Sequence, residues 1–178
     1  MKSDVLKEQI ALMKDEKIKE FTIKTLENSP DYFYTAAASS TGKYHPECTI
    51  KEGGLIVHVK RAVYFAERLC SGWGIELKEK DIVISATILH DIAKTGKGTG
   101  TYEDFENHPL NAAKYFSLSE GVVMDEVVFI NRCIENHMGL WTPAKIKKPI
   151  KDYTLSELLV YTADYMAASK FVTTPEDK

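Results

Sequence analysis

The sequence predicts an all-α fold, a single helical bundle. Three observations predict it. Apolar residues recur at helical spacing almost from end to end; Lys80–Lys94 is apolar nearly all round, as a buried central helix must be; and no convincing strand pattern occurs. No internal repeat and no linker divides the 178 residues. The chain therefore reads as one domain over 1–178, with N-terminal helices and a loop (1–52) packed on a core (53–170).

The elements follow in order. Residues 4–28 read as one or two amphipathic helices marked by Leu6, Ile10, Met13, Ile18, Phe21, Ile23 and Leu26. Ser29-Pro30-Asp31 reads as an N-cap, a first-position proline and a first-turn acid, opening a short helix to about Ala38. Residues 39–54 form a long irregular segment, and such loops often bind ligands. Leu55 to about Cys70 is a helix with Leu55, Val59, Ala62, Val63, Ala66 and Leu69 on one face. After the buried 80–94 helix, Thr95–Thr101 is glycine-rich but matches no phosphate-cradling motif, so it reads as a flexible lip. Helices are expected near 107–117 and 122–138, the second stopped by Gly139. A loop holding Trp141, Lys145, Lys147, Lys148 and Lys151 comes next. Thr154-Leu155-Ser156-Glu157 is a capping box that opens a last helix to about Lys170.

Composition excludes several classes. With Lys+Arg 23 against Asp+Glu 26 the net charge is −3, which makes a nucleic-acid partner unlikely from composition alone. Only Arg61, Arg68 and Arg132 are arginines, few for a surface built on bidentate phosphate forks. Cys48, Cys70 and Cys133 are widely spaced, with no CxxC, so neither a disulfide framework nor a thiolate zinc knuckle is expected. The first residues lack the apolar core of a signal peptide, and no apolar run approaches the roughly 20 residues of a membrane span. A cytoplasmic setting without membrane attachment is expected; the oligomeric state is open.

The histidines carry the chemistry. His58 lies in the 55–70 helix, His90 and Asp91 stand side by side in the most buried helix, His108 opens the next, His137 ends the one after, and Asp164 is mid-helix. Singly, each has a bland explanation: a satisfied core histidine, a buried ion pair, a surface residue at a helix start. Together, four histidines and two aspartates on five apolar helices are explained most economically by convergence on metal, because a buried carboxylate needs a partner. Imidazole and carboxylate donors suit Fe, Mn, Co, Ni or Zn, whereas structural zinc would favour thiolate. Neighbouring residues of a helix point about 100° apart. An ion over that edge can take both His90 and Asp91, and the second oxygen of Asp91 is left to bridge another ion. One or two ions fit this set.

The pattern His58 … His90-Asp91 … Asp164 resembles the H…HD…D signature of the HD-domain superfamily of metal-dependent phosphohydrolases, an all-helical fold. The local texture agrees over about residues 53–170: GGLIVHVKRAV, ATILHDIAK, NHPLNAA, ENHMG and VYTADYMA. His108 and His137 match the additional histidines of the dinuclear branch. The resemblance implies that His58, His90, Asp91 and Asp164 hold a first divalent transition-metal ion, and that His108 and His137 hold a second bridged by Asp91. It implies hydrolysis of a phosphoester or phosphoanhydride by metal-activated water, with a phosphorylated small molecule, preferably a nucleotide, as substrate. Asp91 and Lys94 would be the catalytic pair, since Lys94 matches a lysine that contacts the scissile phosphate.

Two departures from the family narrow the branch. Asp91-Ile92-Ala93 lacks the extra His or Glu of several nucleotidase branches, and the residues that mark cyclic-di-GMP phosphodiesterases are missing. His45, in GKYHPE, matches no metal position and reads either as an exposed loop residue or as a contact to a substrate phosphate. Lys43 and the 145–151 lysines form a candidate basic rim, or simply a solvated face; Tyr44, Tyr102 and Trp141 are candidates to stack a base, or to pack in the core. Two other functions use the same scaffold. One is a mixed-valent di-iron oxygenase, as in myo-inositol oxygenase and a phosphonate-cleaving oxygenase. The other is a non-catalytic nucleotide sensor, which would not need all six ligands.

Overall fold

A computed structural model describes residues 1–39, 41–95, 107–117, 125–142 and 147–177. Among them are eight α-helices and no strands: α1 (Lys7–Ile10), α2 (Glu16–Glu27), α3 (Tyr32–Thr35), α4 (Gly54–Gly72), α5 (Leu77–Leu89), α6 (His108–Ser117), α7 (Asp125–Asn136) and α8 (Leu155–Ala168). The all-α expectation holds. Short 3₁₀ turns at Lys2–Leu6, Glu47–Thr49, Gly139–Trp141, Ile150–Asp152 and Pro175–Asp177 join or flank them.

Helix α5 is the hub. It packs against α4, α7 and α8, and on its remaining side against α1 and α2. Residues Asp81 to Leu89 are buried without interruption, which is why the segment shows no polar face. Its polar residues are spent on neighbours. Asp81 accepts hydrogen bonds from the backbone N–H groups of Lys14 (2.7 Å) and Asp15 (2.5 Å), Thr87 returns its hydroxyl to Val83 O (2.7 Å), and Ser85 meets Thr22 (2.7 Å). Asp15 in turn caps α2, accepting from the N–H groups of Lys17 (2.9 Å) and Ile18 (3.1 Å). Burial of Leu6, Met13, Ile18 and Leu26 completes this wall.

Three boundaries differ from expectation. Ser29 is not an N-cap: its hydroxyl donates back to Leu26 O (2.6 Å) and lies 2.9 Å from the Tyr34 hydroxyl, and the following helix is the single turn α3. Helix α5 stops at Leu89, so His90 and Asp91 lie in the turn after it rather than inside it. There the backbone tightens to three-residue bonds, Ile92 N–H to Leu89 O (3.1 Å) and Lys94 N–H to Asp91 O (3.1 Å). Helix α7 ends at Asn136, leaving His137 in the turn before Gly139, whose φ of +56° reverses the chain. Residues 96–101 of the glycine-rich lip, Tyr102 and Lys145 lie outside the described residues. At α8 the capping box is present as expected: Thr154 accepts from Glu157 N–H (3.3 Å) and Glu157 from Thr154 N–H (2.6 Å). Among the described residues, no helix is long and apolar enough to cross a membrane.

Candidate metal centre

Six side chains from five segments meet where α4, α5, α7 and α8 converge and α6 begins. Helix α4 carries His58 on the face that holds Leu55, Val59 and Ala62, so the histidine is buried with them. The turn after α5 brings His90 and Asp91, the first residue of α6 is His108, the turn after α7 brings His137, and α8 brings Asp164. His58, His90, Asp91 and His137 are at most 2% exposed and His108 is 5% exposed. Asp164 keeps 22% of its side chain open, so the cluster opens to solvent beside this residue.

The two oxygens of Asp91 face different partners. Oδ2 lies 3.5 Å from His90 Nε2 and 3.8 Å from His58 Nε2. Oδ1 lies 3.2 Å from His108 Nε2 and 3.9 Å from His137 Nε2. Asp164 Oδ1 completes the first group, 2.9 Å from His58 Nε2 and 3.4 Å from His90 Nε2. Three overlapping sets satisfy the spacing of a metal site: His58–His90–Asp91, His90–His137–Asp164 and Asp91–His108–His137.

The histidines are set up as ligands. His90 donates Nδ1–H to Thr87 O (2.7 Å) and His137 donates Nδ1–H to Ile134 O (2.6 Å), which turns both Nε2 atoms inward. His58 Nε2 and His90 Nε2 stand 3.3 Å apart, and those of His108 and His137 stand 3.0 Å apart. Two inward-facing lone pairs at that distance repel unless a proton or a cation lies between them. The donor set, nitrogen and carboxylate oxygen without sulfur, fits a divalent transition metal.

The electrostatics of the metal-free cluster show the same competition. Burial pushes the His137 imidazole down to about 3 and also lowers that of His58. Burial works against charge on His90 as well, yet Asp91 and Asp164 outweigh it and raise its pKa. For Asp91, burial is overcome by Lys94, His90 and His108, and its carboxyl is held well below the usual range. For Asp164, hydrogen bonds from His58 and His90 overcome burial in the same way. Lys94 Nζ lies 2.5 Å from Asp91 Oδ2, at the edge of the cluster.

The remaining sequence candidates divide. His45 is not an exposed loop residue. Its ring lies against His58, with centroids 5.5 Å apart, and burial pushes its pKa down to about 4. Lys43 is exposed, with Nζ 5.1 Å from the Tyr44 ring centre, and Trp141 is 77% exposed; neither is hydrogen-bonded or ion-paired to the cluster among the described residues. Lys148 is not part of a free basic rim, because it pairs with buried Glu157 at 2.7 Å. Sequence reasoning missed Tyr32, whose hydroxyl accepts from Thr95 N–H (3.1 Å) and steadies the turn that carries Asp91 and Lys94. It also passed over Arg61, one turn after His58, although a lone arginine on an apolar helix face was a usable signal.

This fold and cluster define a class: an all-helical protein with a buried histidine–aspartate centre built for divalent metal. The chain belongs to the HD domain family, whose match spans residues 55–169. That places it in a superfamily of metal-dependent phosphohydrolases. No curated protein and no solved structure gives a match.

Proposed function

We propose that the protein hydrolyses a phosphoester or phosphoanhydride bond with a pair of divalent metal ions. One observation carries this reading: Asp91 presents one carboxylate oxygen to His58 and His90 and the other to His108 and His137. His58, His90, Asp91 and Asp164 would hold one ion, and His108, His137 and Asp91 the other. Such a pair supplies an acidified water as nucleophile and offsets the charge that builds on phosphoryl oxygens.

The residues around it have separate tasks. Asp91, tied to Lys94, keeps its carboxylate ionised at neutral pH and so available to both halves of the cluster. Lys94, 16% exposed in its side chain, is the cation that meets the substrate phosphate. The opening beside Asp164 admits the phosphoryl group. Exposed Lys43, Tyr44 and Trp141 are available for parts of the substrate farther from the reacting bond, and their combination of cation and aromatic ring favours a nucleotide over a sugar phosphate.

The test is turnover of Mn(II)- or Co(II)-loaded protein under strict anaerobiosis. The substrates are nucleoside triphosphates, dinucleoside polyphosphates, cyclic nucleotides and sugar phosphates. Release of phosphate or a nucleotide product without oxygen is expected. Turnover that needs iron and consumes dioxygen would move the assignment to an oxygenase.

A further inference from the structure

His45 sits on a loop that is tied down on both of its flanks. The carbonyl of Tyr44 accepts the N–H of Lys170 (3.2 Å), and the carbonyl of Pro46 accepts both the N–H (3.0 Å) and the hydroxyl (2.8 Å) of Thr49. Thr49 O accepts Ala38 N–H (2.8 Å) and presses on Gly54, where a Cβ would collide with it. The backbone is thus fixed immediately before and after His45. Its side chain is the opposite case: Nδ1 is buried and has no hydrogen-bond partner among the described residues. In either protonation state a buried ring nitrogen needs one, and leaving it bare is unfavourable.

The ring is placed where a ligand would supply that partner. It packs at 54° against His58 and lies within electrostatic reach of Lys94, Asp91 and Asp164. A flat apolar side chain would fill this position without an orphaned nitrogen. A loop held rigid around an unpartnered imidazole beside a metal-type cluster is the arrangement of a ligand contact.

Resting on the phosphohydrolase reading, we propose that His45 is a substrate-binding residue that donates a hydrogen bond from Nδ1 to an oxygen of the phosphoryl group held between the cluster and Lys94. A phosphoryl group suits this position because its oxygens are acceptors, which satisfy the imidazole and the Lys94 ammonium together. His45 thereby makes the 41–54 loop one wall of the site.

The experiment is titration calorimetry of the full chain, loaded with Mn(II), against inorganic phosphate. It compares wild type with H45A, H45F and H45N; the Asn amide nitrogen takes roughly the position of Nδ1. Phosphate affinity should fall about tenfold or more in H45A and H45F, in line with loss of a hydrogen bond to a charged group, and return to within about threefold in H45N. Metal content and melting temperature should match wild type in all three. In turnover, the loss should appear mainly in KM. Wild-type phosphate affinity in H45A and H45F, loss of metal in H45A, or no recovery in H45N would each overturn the assignment. If wild type itself binds no phosphate when loaded, the phosphohydrolase reading fails with it, whereas equal binding by wild type and H45A removes only the role of His45.

Discussion

At the scale of single residues, the ligands are not equivalent. Asp91 faces both halves of the cluster, while His108 and His137 face only one of its oxygens. Asp91→Ala should therefore lose nearly all bound metal, and His108→Ala or His137→Ala about half, measured by elemental analysis of purified protein. Activity should fall strongly in all three, because attacking water and leaving oxygen each need a cation. Equal stoichiometry in wild type and His108→Ala would reduce the centre to one ion. Two of the buried histidines, His58 and His137, also set an acid limit for the metal-free protein. His137 takes up a proton near pH 6.5 when unfolded but only near 3 when folded, so the unfolded state binds more protons in between. Its contribution to stability is complete above about pH 6.5 and is lost as pH falls toward 3. Urea unfolding of metal-free protein between pH 6.5 and 4.5 should show stability falling with pH, with a shallower slope in His137→Asn.

At the scale of elements, one side chain of α4 ties down the C-terminal segment at several points. Arg61 of α4 is fully buried. It donates from Nε to Ala167 O (3.0 Å) and from Nη2 to Ser169 O (3.2 Å) and Val172 O (2.8 Å), and its Nη1 pairs with Asp177. These bonds clamp the end of α8 and the tail that follows onto α4. The same tail includes Lys170, which fixes the backbone of Tyr44. Lysine keeps the charge but cannot reach several divergent acceptors at once. Arg61→Lys should cost about 3 kcal/mol, a fall in Tm of roughly 6–12 °C for a chain of this size, read by calorimetry. A fall of under 2 °C would mean that the tail is anchored elsewhere.

At the scale of the whole molecule, the metal ions and the fold should support each other. The ligands come from α4, the turn after α5, α6, the turn after α7 and α8, so an ion joins most of the bundle at one point. A metal present at about 1,000 times its Kd adds roughly 4 kcal/mol to the folded state. Removal by chelator should therefore lower Tm by roughly 8–16 °C, with recovery on adding Mn(II). A Tm insensitive to chelator and metal would place the ions outside this cluster.

Much of the architecture was legible in the chain itself. Helical period predicts α4, α6, α7 and α8 to within a few residues, the all-round apolar character of 80–94 marks the central helix, and Thr154 with Glu157 marks the start of α8. These are local properties: periodicity, capping and burial are written in neighbouring residues. The six histidine and aspartate positions were also legible, because charge on apolar helices is conspicuous. What the chain did not show is everything that depends on contact between distant residues. Ser29 looks like a cap but bonds backward to Leu26, because local rules do not rank competing acceptors. The end of α5 at Leu89 is set where His90 bonds Thr87 O and Tyr32 holds the following turn, a choice made by packing across about 60 residues of chain. For His45 the sequence leaves an exposed loop residue and a phosphate contact both open until its ring is seen against His58 of α4, and Asp91 shows its two-sided geometry only when α4, α6, α7 and α8 are in place. Sequence marked the six histidines and aspartates that cluster; tertiary structure decided which of their atoms meet, because side-chain direction at the ends of elements is fixed by long-range packing rather than by local propensity.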